Sequence, residues 1–324
     1  MGLLSPIDLE ELADFRTAIP VSCRRRLQDN DLGLVEDVYV SPYETPPSGH
    51  EANHQIVVPY HGFVAYCVGA RRWHLDSNRL FLISPGWEFR DEHPVPNLGH
   101  GALVITPGAE ILDEICREAG ARTTAAFDAP SRATPVALRL LAHALRENAL
   151  INDPLERDEL LLRLLRKAVN GSALRFSRES PAVRRAKEIL HSSASERLTL
   201  GHIAREVGVS SVYLTQEFTR TEGMPLYRYQ RHLRLNRALA ELVHCDDITG
   251  LALDLGFCSH SHFTSAFRSI FGMTPSQYRS AATAGELIRQ IEPNSRLLAS
   301  CSSASHQALM SQGKAHRERS HCHN

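Results

Sequence analysis

The sequence predicts an α+β multidomain chain: an N-terminal antiparallel β barrel or sandwich, a helical linker, and a C-terminal all-α domain made from two copies of one helical device. Three observations carry this. Between about Asp37 and Pro107, short β-type runs alternate with turn signals roughly every ten residues; from about Thr134 onward, apolar residues recur at helical spacing. The stretch "DLGFCSHSHFTSAFRSIFGMTP" (254–275) then repeats the pattern of "REVGVSSVYLTQEFTRTEGMP" (205–225) about fifty residues later.

At 324 residues, with 43% apolar and 23% charged residues, the chain has room for two ordinary domains and is not a mostly disordered protein. Apolar runs such as "GALVITP" fall far short of the ~20 residues that span a bilayer. The start, "MGLLSPIDLEEL", is acidic and lacks the basic region of a secretory signal. A soluble, cytoplasmic protein with no membrane partner is therefore expected. Seven scattered cysteines without a C-x-x-C pair read as free thiols, not as a disulfide framework or a zinc site. The net charge of −1 is uneven: residues 1–177 hold 18 Lys+Arg against 24 Asp+Glu, whereas residues 178–324 hold 18 against 13. A basic half joined to an acidic half points to a C-terminal polyanion binder.

The β-type runs are "HQIVVPY", "FVAYCVG", "RRWHLD", "RLFLISP" and "ALVITP". Pro46-Pro47-Ser48-Gly49, Gly69, Asp76-Ser77-Asn78, Pro85-Gly86 and Pro94 to Asn97 separate them. Short strands with such punctuation form antiparallel sandwiches or barrels. Thr134-Pro135 and Asp153-Pro154 then open two helices, each with a capping side chain before a proline at the first helical position. In the second, Leu161, Leu164, Leu165 and Ala168 form one apolar stripe, which either packs on the barrel or joins two copies of the chain; a homodimer through it is expected. Ser180-Pro181 opens the next helix. Beyond Ala281 the Ser- and His-rich sequence reads as a disordered tail, and His321-Cys322-His323 is not assigned a metal site.

In the first copy Ile203, Ala204, Val207, Gly208, Leu214 and Phe218 precede Gly223 and Pro225; in the second Leu251, Ala252, Leu255, Gly256, Phe263 and Phe267 precede Gly272 and Pro275. Each is a short helix, a glycine turn, and a helix anchored by an apolar pair at i and i+4, the sequence form of a helix-turn-helix. A long helix from Pro225 to about His244 connects the copies, and Thr274-Pro275-Ser276-Gln277 reads as a capping box opening a last helix. Two such second helices on a rigid connector suit successive major grooves, ~34 Å apart. With Leu214 and Phe218 inward, Val212, Thr215, Gln216 and Thr219 fall on the outer face; with Phe263 and Phe267 inward, His260, Ser261 and Ser265 do.

The stretches "IAREVGVSSVYLTQEFTRTEGMPLYRYQRHLRLNRA" and "GLALDLGFCSHSHFTSAFRSIFGMTPSQYR" closely resemble the DNA-binding domain of the AraC/XylS family of transcription regulators, over about a third of the chain. The resemblance implies a cupin-like sensor domain at 1–110 and a helical linker or dimerisation segment at 111–177. It further implies a homeodomain-like double helix-turn-helix domain at 178–281, followed by the tail at 282–324. It implies double-stranded DNA and a small-molecule effector as partners, a homodimer, RNA polymerase as a further partner for an activator, and neither cofactor nor enzymatic activity. By the same resemblance Val212, Thr215, Gln216, His260, Ser261 and Ser265 are expected at base edges, where Gln pairs with adenine and methyl groups meet thymine. Ser211, Arg220, Arg228, Arg231, Arg234 and Arg268 are expected at phosphates. Ser265 stands where relatives often carry arginine.

Tyr60, Tyr66, Trp73 and Trp87 are the candidate lining of an effector pocket in the barrel mouth. His50, His54, His61, His74, His93 and His100 also fall in the barrel, but His50 and His54, four apart with Glu51 between them, need not converge on a metal in an extended segment. The competing class is an enzyme fused to this DNA-binding domain: a cupin-type metal oxygenase, or a DNA-repair alkyl acceptor using Cys23 beside Arg24-Arg25-Arg26.

Overall fold

The computed structural model describes residues 22–42, 48–147, 153–170, 179–193, 196 and 198–283. The expected tail lies, from residue 284 on, outside the described residues, as do Cys301 and the His321-Cys322-His323 stretch.

The first part is an antiparallel double sheet. Strands β1 (Cys23–Asn30), β2 (Gly33–Val40), β3 (Ser48–His50), β4 (Gln55–His61), β5 (Val64–Val68), β6 (Arg71–Leu75), β7 (Arg79–Ile83), β8 (Glu88–Glu92), β9 (His100–Pro107) and β10 (Ser131–Ala133) form a six-stranded sheet and a four-stranded one. The six-stranded order is β1-β2-β9-β4-β7-β10, and the other is β3-β8-β5-β6. Two strands fall outside the span that the turn signals mark. The first is β1, whose run "CRRRLQDN" is mostly polar; the second is β10, which comes after two helices and closes the sheet against β7.

The run "RLFLI" of β7 reads as continuously apolar because both of its faces are covered. Leu80 and Leu82 face a core shared with the helices, while Phe81 and Ile83 face a second cluster with Val64, Tyr66 and Leu75. Successive side chains of a strand point to opposite faces, so one run serves both layers.

Helices α1 (Ala109–Glu118), α2 (Thr123–Phe127), α3 (Val136–Glu147) and α4 (Pro154–Val169) cover the outer face of the larger sheet. Asp153 caps α4 by accepting from the Leu155 amide at 2.9 Å. Leu161, Leu164, Leu165 and Ala168 are fully buried within the single chain, against α1, α3 and the sheet. Of the two partners open to that stripe, its own barrel is the one it meets, so the stripe offers no free face for a dimer. The α4 C-terminus is held by Arg132 of β10, which donates to the Ala168 and Val169 carbonyls at 3.4 and 3.2 Å.

The second part is all helical: α5 (Pro181–Ser192), α6 (Leu200–Val207), α7 (Ser211–Glu222), α8 (Leu226–Leu242), α9 (Ile248–Asp254), α10 (His260–Phe271) and α11 (Pro275–Thr283). Its apolar interior is divided. Val183, Leu190, Ile203, Leu214, Phe218 and Tyr229 close one core, whereas Leu235, Leu239, Phe263, Phe267 and Tyr278 belong to the large core that runs on through α3 and α4 to the sheet. Helix α8 joins the two, its first half in one core and its second half in the other.

Candidate nucleic-acid interface

The two helix-turn-helix units are built by the same local chemistry. Helix α6 ends at Gly208, whose φ of 79° lies in the left-handed region, and α9 is followed by Gly256 at 80°. A residue with a Cβ is penalised there, so glycine sets both turns. The next helix starts on a serine: Ser210 accepts from the Tyr213 amide at 3.1 Å, and Ser259 accepts from the His262 amide at 3.1 Å. Leu214 and Phe218, like Phe263 and Phe267, are fully buried, and this fixes which face of α7 and of α10 points outward. Thr274 and Gln277 close a reciprocal capping box at α11: the Thr274 amide donates to Gln277 Oε1 at 2.8 Å and the Gln277 amide to Thr274 Oγ1 at 3.2 Å.

On α7, Val212 and Gln216 are exposed, Val212 to 68%, and Tyr213 beside them is half open. Thr215 is half-buried and its hydroxyl donates to the Ser211 carbonyl at 2.8 Å, which leaves its methyl as the outward group. On α10, His260, Ser261 and Ser265 are exposed and share one shallow groove with Arg268. Sequence reasoning missed Thr264, Ser269 and Thr274, which complete that groove. The spacing of Ser261, Thr264, Ser265 and Arg268 at i, i+3, i+4 and i+7 is the signal that could have found Thr264. Cys258, on the exposed turn ahead of the same helix, pairs with His262 of its first turn at 3.1 Å.

The candidate phosphate residues fall into four groups. Arg268 is exposed at the groove, and Ser211 sits half-buried at the first turn of α7. Arg220 is exposed and paired through its Nε with Glu217 at 2.9 Å, a surface contact that a phosphate can displace. Arg228 and Arg231 are half-buried on α8, and neither forms an ion pair among the described residues. Arg234 serves the fold: its guanidinium donates to the Gly256 carbonyl at 3.0 Å and to the Glu196 carbonyl at 2.6 Å.

In the barrel, Tyr66, Trp73 and Trp87 come together, but Tyr60 does not join them. Trp73 stacks on Trp87 at 5.9 Å and Tyr66 on Phe89 at 4.9 Å, with Phe81 between the pairs. The Tyr66 hydroxyl and Asp91 Oδ1 are buried with no hydrogen-bond partner among the described residues, and burial pushes the Tyr66 hydroxyl far above its ordinary pKa. Tyr60 belongs to another cluster, where its hydroxyl donates to Asp37 at 2.8 Å and Arg146 lies 4.0 Å over its ring. Of the barrel histidines, His93 and His100 meet at 2.8 Å, and no group of three or more metal-ligating side chains forms among the described residues. Burial, then Asp37, raises the Cys23 thiol pKa against the pull of nearby Arg25 and Arg146; that is the reverse of an activated alkyl acceptor.

The chain matches the models of two families: a helix-turn-helix domain over residues 203–281 and an AraC-like ligand-binding domain over residues 38–165. It is 33% identical over 112 residues to the HTH-type transcriptional regulator ArgR of Pseudomonas aeruginosa, a match covering 34% of each chain. It thus spans about a third of the length of that relative. It is 30% identical over 105 residues to the HTH-type transcriptional activator AarP of Providencia stuartii, covering 32% of this chain and 78% of that one. Among solved structures, an AraC-type regulator from Chromobacterium violaceum matches at 33% identity with a TM-score of 0.30, covering 32% of this chain and 92% of that one. ToxT from Vibrio cholerae matches at 14% with 0.34, covering 78% and 98%. With both family models in the order in which the two folded parts occur, and most of AarP matched, the chain belongs to the AraC/XylS family of transcription regulators.

Proposed function

We propose that the chain is a sequence-specific regulator of transcription that reads double-stranded DNA with α7 and α10 and takes a small-molecule effector in its β domain. The observation that carries the reading is the pair of outward faces. Val212, Thr215 and Gln216 on one helix and His260, Ser261, Ser265 and Arg268 on the other are presented by matching serine caps, glycine turns and apolar anchors. A helix presented in this way enters a major groove with its first turns at the base edges.

The aromatic barrel interior, where the Tyr66 hydroxyl and Asp91 Oδ1 lack hydrogen-bond partners among the described residues while Asp91 Oδ2 meets His100 at 3.6 Å, supports an effector site of apolar lining and few polar anchors. We read the protein as acting in the cytoplasm, without a catalytic step, and as a homodimer through a surface other than the Leu161/Leu165 stripe. The names of its relatives, regulators and an activator, support the regulatory part.

Selection of binding sites from random duplex DNA at fixed salt tests the reading. Two short elements one helical turn apart are expected. A single element would confine base reading to one helix, and no enrichment would overturn sequence-specific binding. Transcription in vitro from a promoter carrying the motif separates activation from repression, and activation adds RNA polymerase to the partners.

A further inference from the structure

The turn Asp76-Ser77-Asn78 between β6 and β7 has the composition of a surface turn, yet every residue from His74 to Leu80 is buried. It inserts into the first helix-turn-helix unit. Asp76 Oδ2 accepts from the Tyr229 hydroxyl of α8 and meets His191 Nε2 of α5 at 3.0 Å. Arg79 Nε donates to Glu222 at 3.0 Å and its Nη2 to the Thr221 carbonyl at 3.2 Å, so β7 grips the last turn of α7. Lys187 of α5, fully buried, donates to Glu222 at 3.3 Å, to Glu179 at 3.0 Å and to the His74 carbonyl at 3.5 Å. Asn236 of α8 donates to Ser77 Oγ at 2.9 Å and accepts from Arg139 of α3 at 3.2 Å.

This polar junction is the main tie between the first unit and the β domain, beside the Arg234 bridge from Glu196 to Gly256. Its apolar core is closed on itself, whereas the core of the second unit is continuous with α3, α4 and the sheet. Without the turn, α5, α6 and α7 would hang on the first half of α8 and on the bond from Arg234 to the Glu196 carbonyl, and the position of α7 relative to α10 would follow the bending of one helix. A buried ionic contact is strongly favourable only when complete, since removing one partner leaves the other charge buried and unpaired. The junction is therefore an all-or-none fastening. It covers neither reading face: Val212 and Gln216, like His260, Ser261 and Ser265, are exposed while the turn is docked.

We propose that Asp76 and Arg79 are positioning residues for DNA reading: docked into the first helix-turn-helix unit, the β6–β7 turn fixes the distance and angle between the two recognition helices. The inference rests on the DNA-reading function above and goes beyond it, because it makes the β domain part of the ruler that measures the site. Held at a fixed separation, the second helix finds its element at high effective concentration, and this advantage is lost when the geometry is no longer enforced.

The test uses the full chain with three duplexes: the selected two-element site, the same site with one element shifted by about half a helical turn (about 5 bp), and a single-element duplex. The wild type is expected to prefer the native spacing over the shifted one by about tenfold or more. Asp76→Asn and Arg79→Met are expected to lose most of that preference and to retain wild-type affinity for the single element. Should Arg79→Met fail to fold, Tyr229→Phe keeps the ring in its core and removes only the hydroxyl that donates to Asp76. Folded variants that keep the wild-type spacing preference would overturn the proposal. A loss of affinity equal on all three duplexes would do so too, because it marks a purely structural role. A wild type with no spacing preference would overturn the two-helix reading itself, and the positioning role with it.

Discussion

Arg234 donates to the Gly256 carbonyl at 3.0 Å and, through its other terminal nitrogen, to the Glu196 carbonyl at 2.6 Å, so one guanidinium on α8 ties the turn of the second helix-turn-helix unit to the segment ahead of the first. Hydrogen bonds from a charged donor contribute more than neutral ones, and Arg234→Ala is expected to cost about 1–3 kcal/mol of folding stability. Arg234→Lys, with a single point of attachment, should not restore it. Urea unfolding measures both. An Arg234→Ala chain of unchanged stability that binds DNA more weakly would instead make this residue a phosphate contact.

Gln216 and Arg268 separate two kinds of contact. Gln216 stands exposed on α7, next to Val212 on the outward face, and Gln216→Ala is expected to relax discrimination at one base pair by ~1–3 kcal/mol. Arg268 lies at the edge of the α10 groove, and Arg268→Ala should weaken all duplexes alike and lower the salt dependence by about one phosphate contact. Binding titrations on specific and scrambled DNA over a salt series report both effects. Equal losses on the two duplexes for Gln216→Ala would remove it from the base-reading set.

Gly208 isolates the cost of a backbone conformation. Its φ is 79°, and a Cβ built there meets nothing within 4 Å. Gly208→Ala is therefore penalised by dihedral strain alone, about 1–2 kcal/mol, and Gly208→Asn should cost less because Asn visits the left-handed region more readily. Chemical denaturation of the two variants ranks them; equal stability of wild type and Gly208→Ala would mean that the turn relaxes to another shape.

Much of this was legible in the sequence because the signals are local. The caps at Asp153, Ser180 and Thr274, the glycine turns, and the inward pairs Leu214/Phe218 and Phe263/Phe267 depend on residues within a turn or two of one another. What was not legible depends on partners far apart in the chain. β10 is a three-residue strand whose pairing with β7 crosses about fifty residues. The Asp76 turn carries ordinary surface-turn residues, and only the fold covers them. One trace was present: Lys187 lies four residues after Val183 and three before Leu190, inside the apolar stripe of α5, where a charge implies a buried counter-charge. The apolar stripe of α4 was visible too, but periodicity says that a face is buried, not what buries it.

The interior titratable groups set the response to acid. His143 of α3 is kept neutral by burial and then by Arg146 and His244, far below the ordinary histidine pKa; His232 of α8 is lowered by burial and by Arg139 to about 3. Burial would raise Glu179, but Lys187 and His74 outweigh it and bring its carboxyl down to about 2. In the unfolded chain the histidines take up protons below about pH 6.5 and the glutamate below about pH 4.3. All three groups thus contribute stability that is complete above those values and is lost as the pH falls through the folded ones. Stability is expected to decline from about pH 6.5, by up to ~1.4 kcal/mol per pH unit for each histidine, and more steeply below about pH 4.3. Urea unfolding at stepped pH gives the slope, and His143→Leu should reduce it by up to about one proton in the range below pH ~6.5. A slope unchanged by that substitution would mean that His143 is already protonated, and paired, in the native chain.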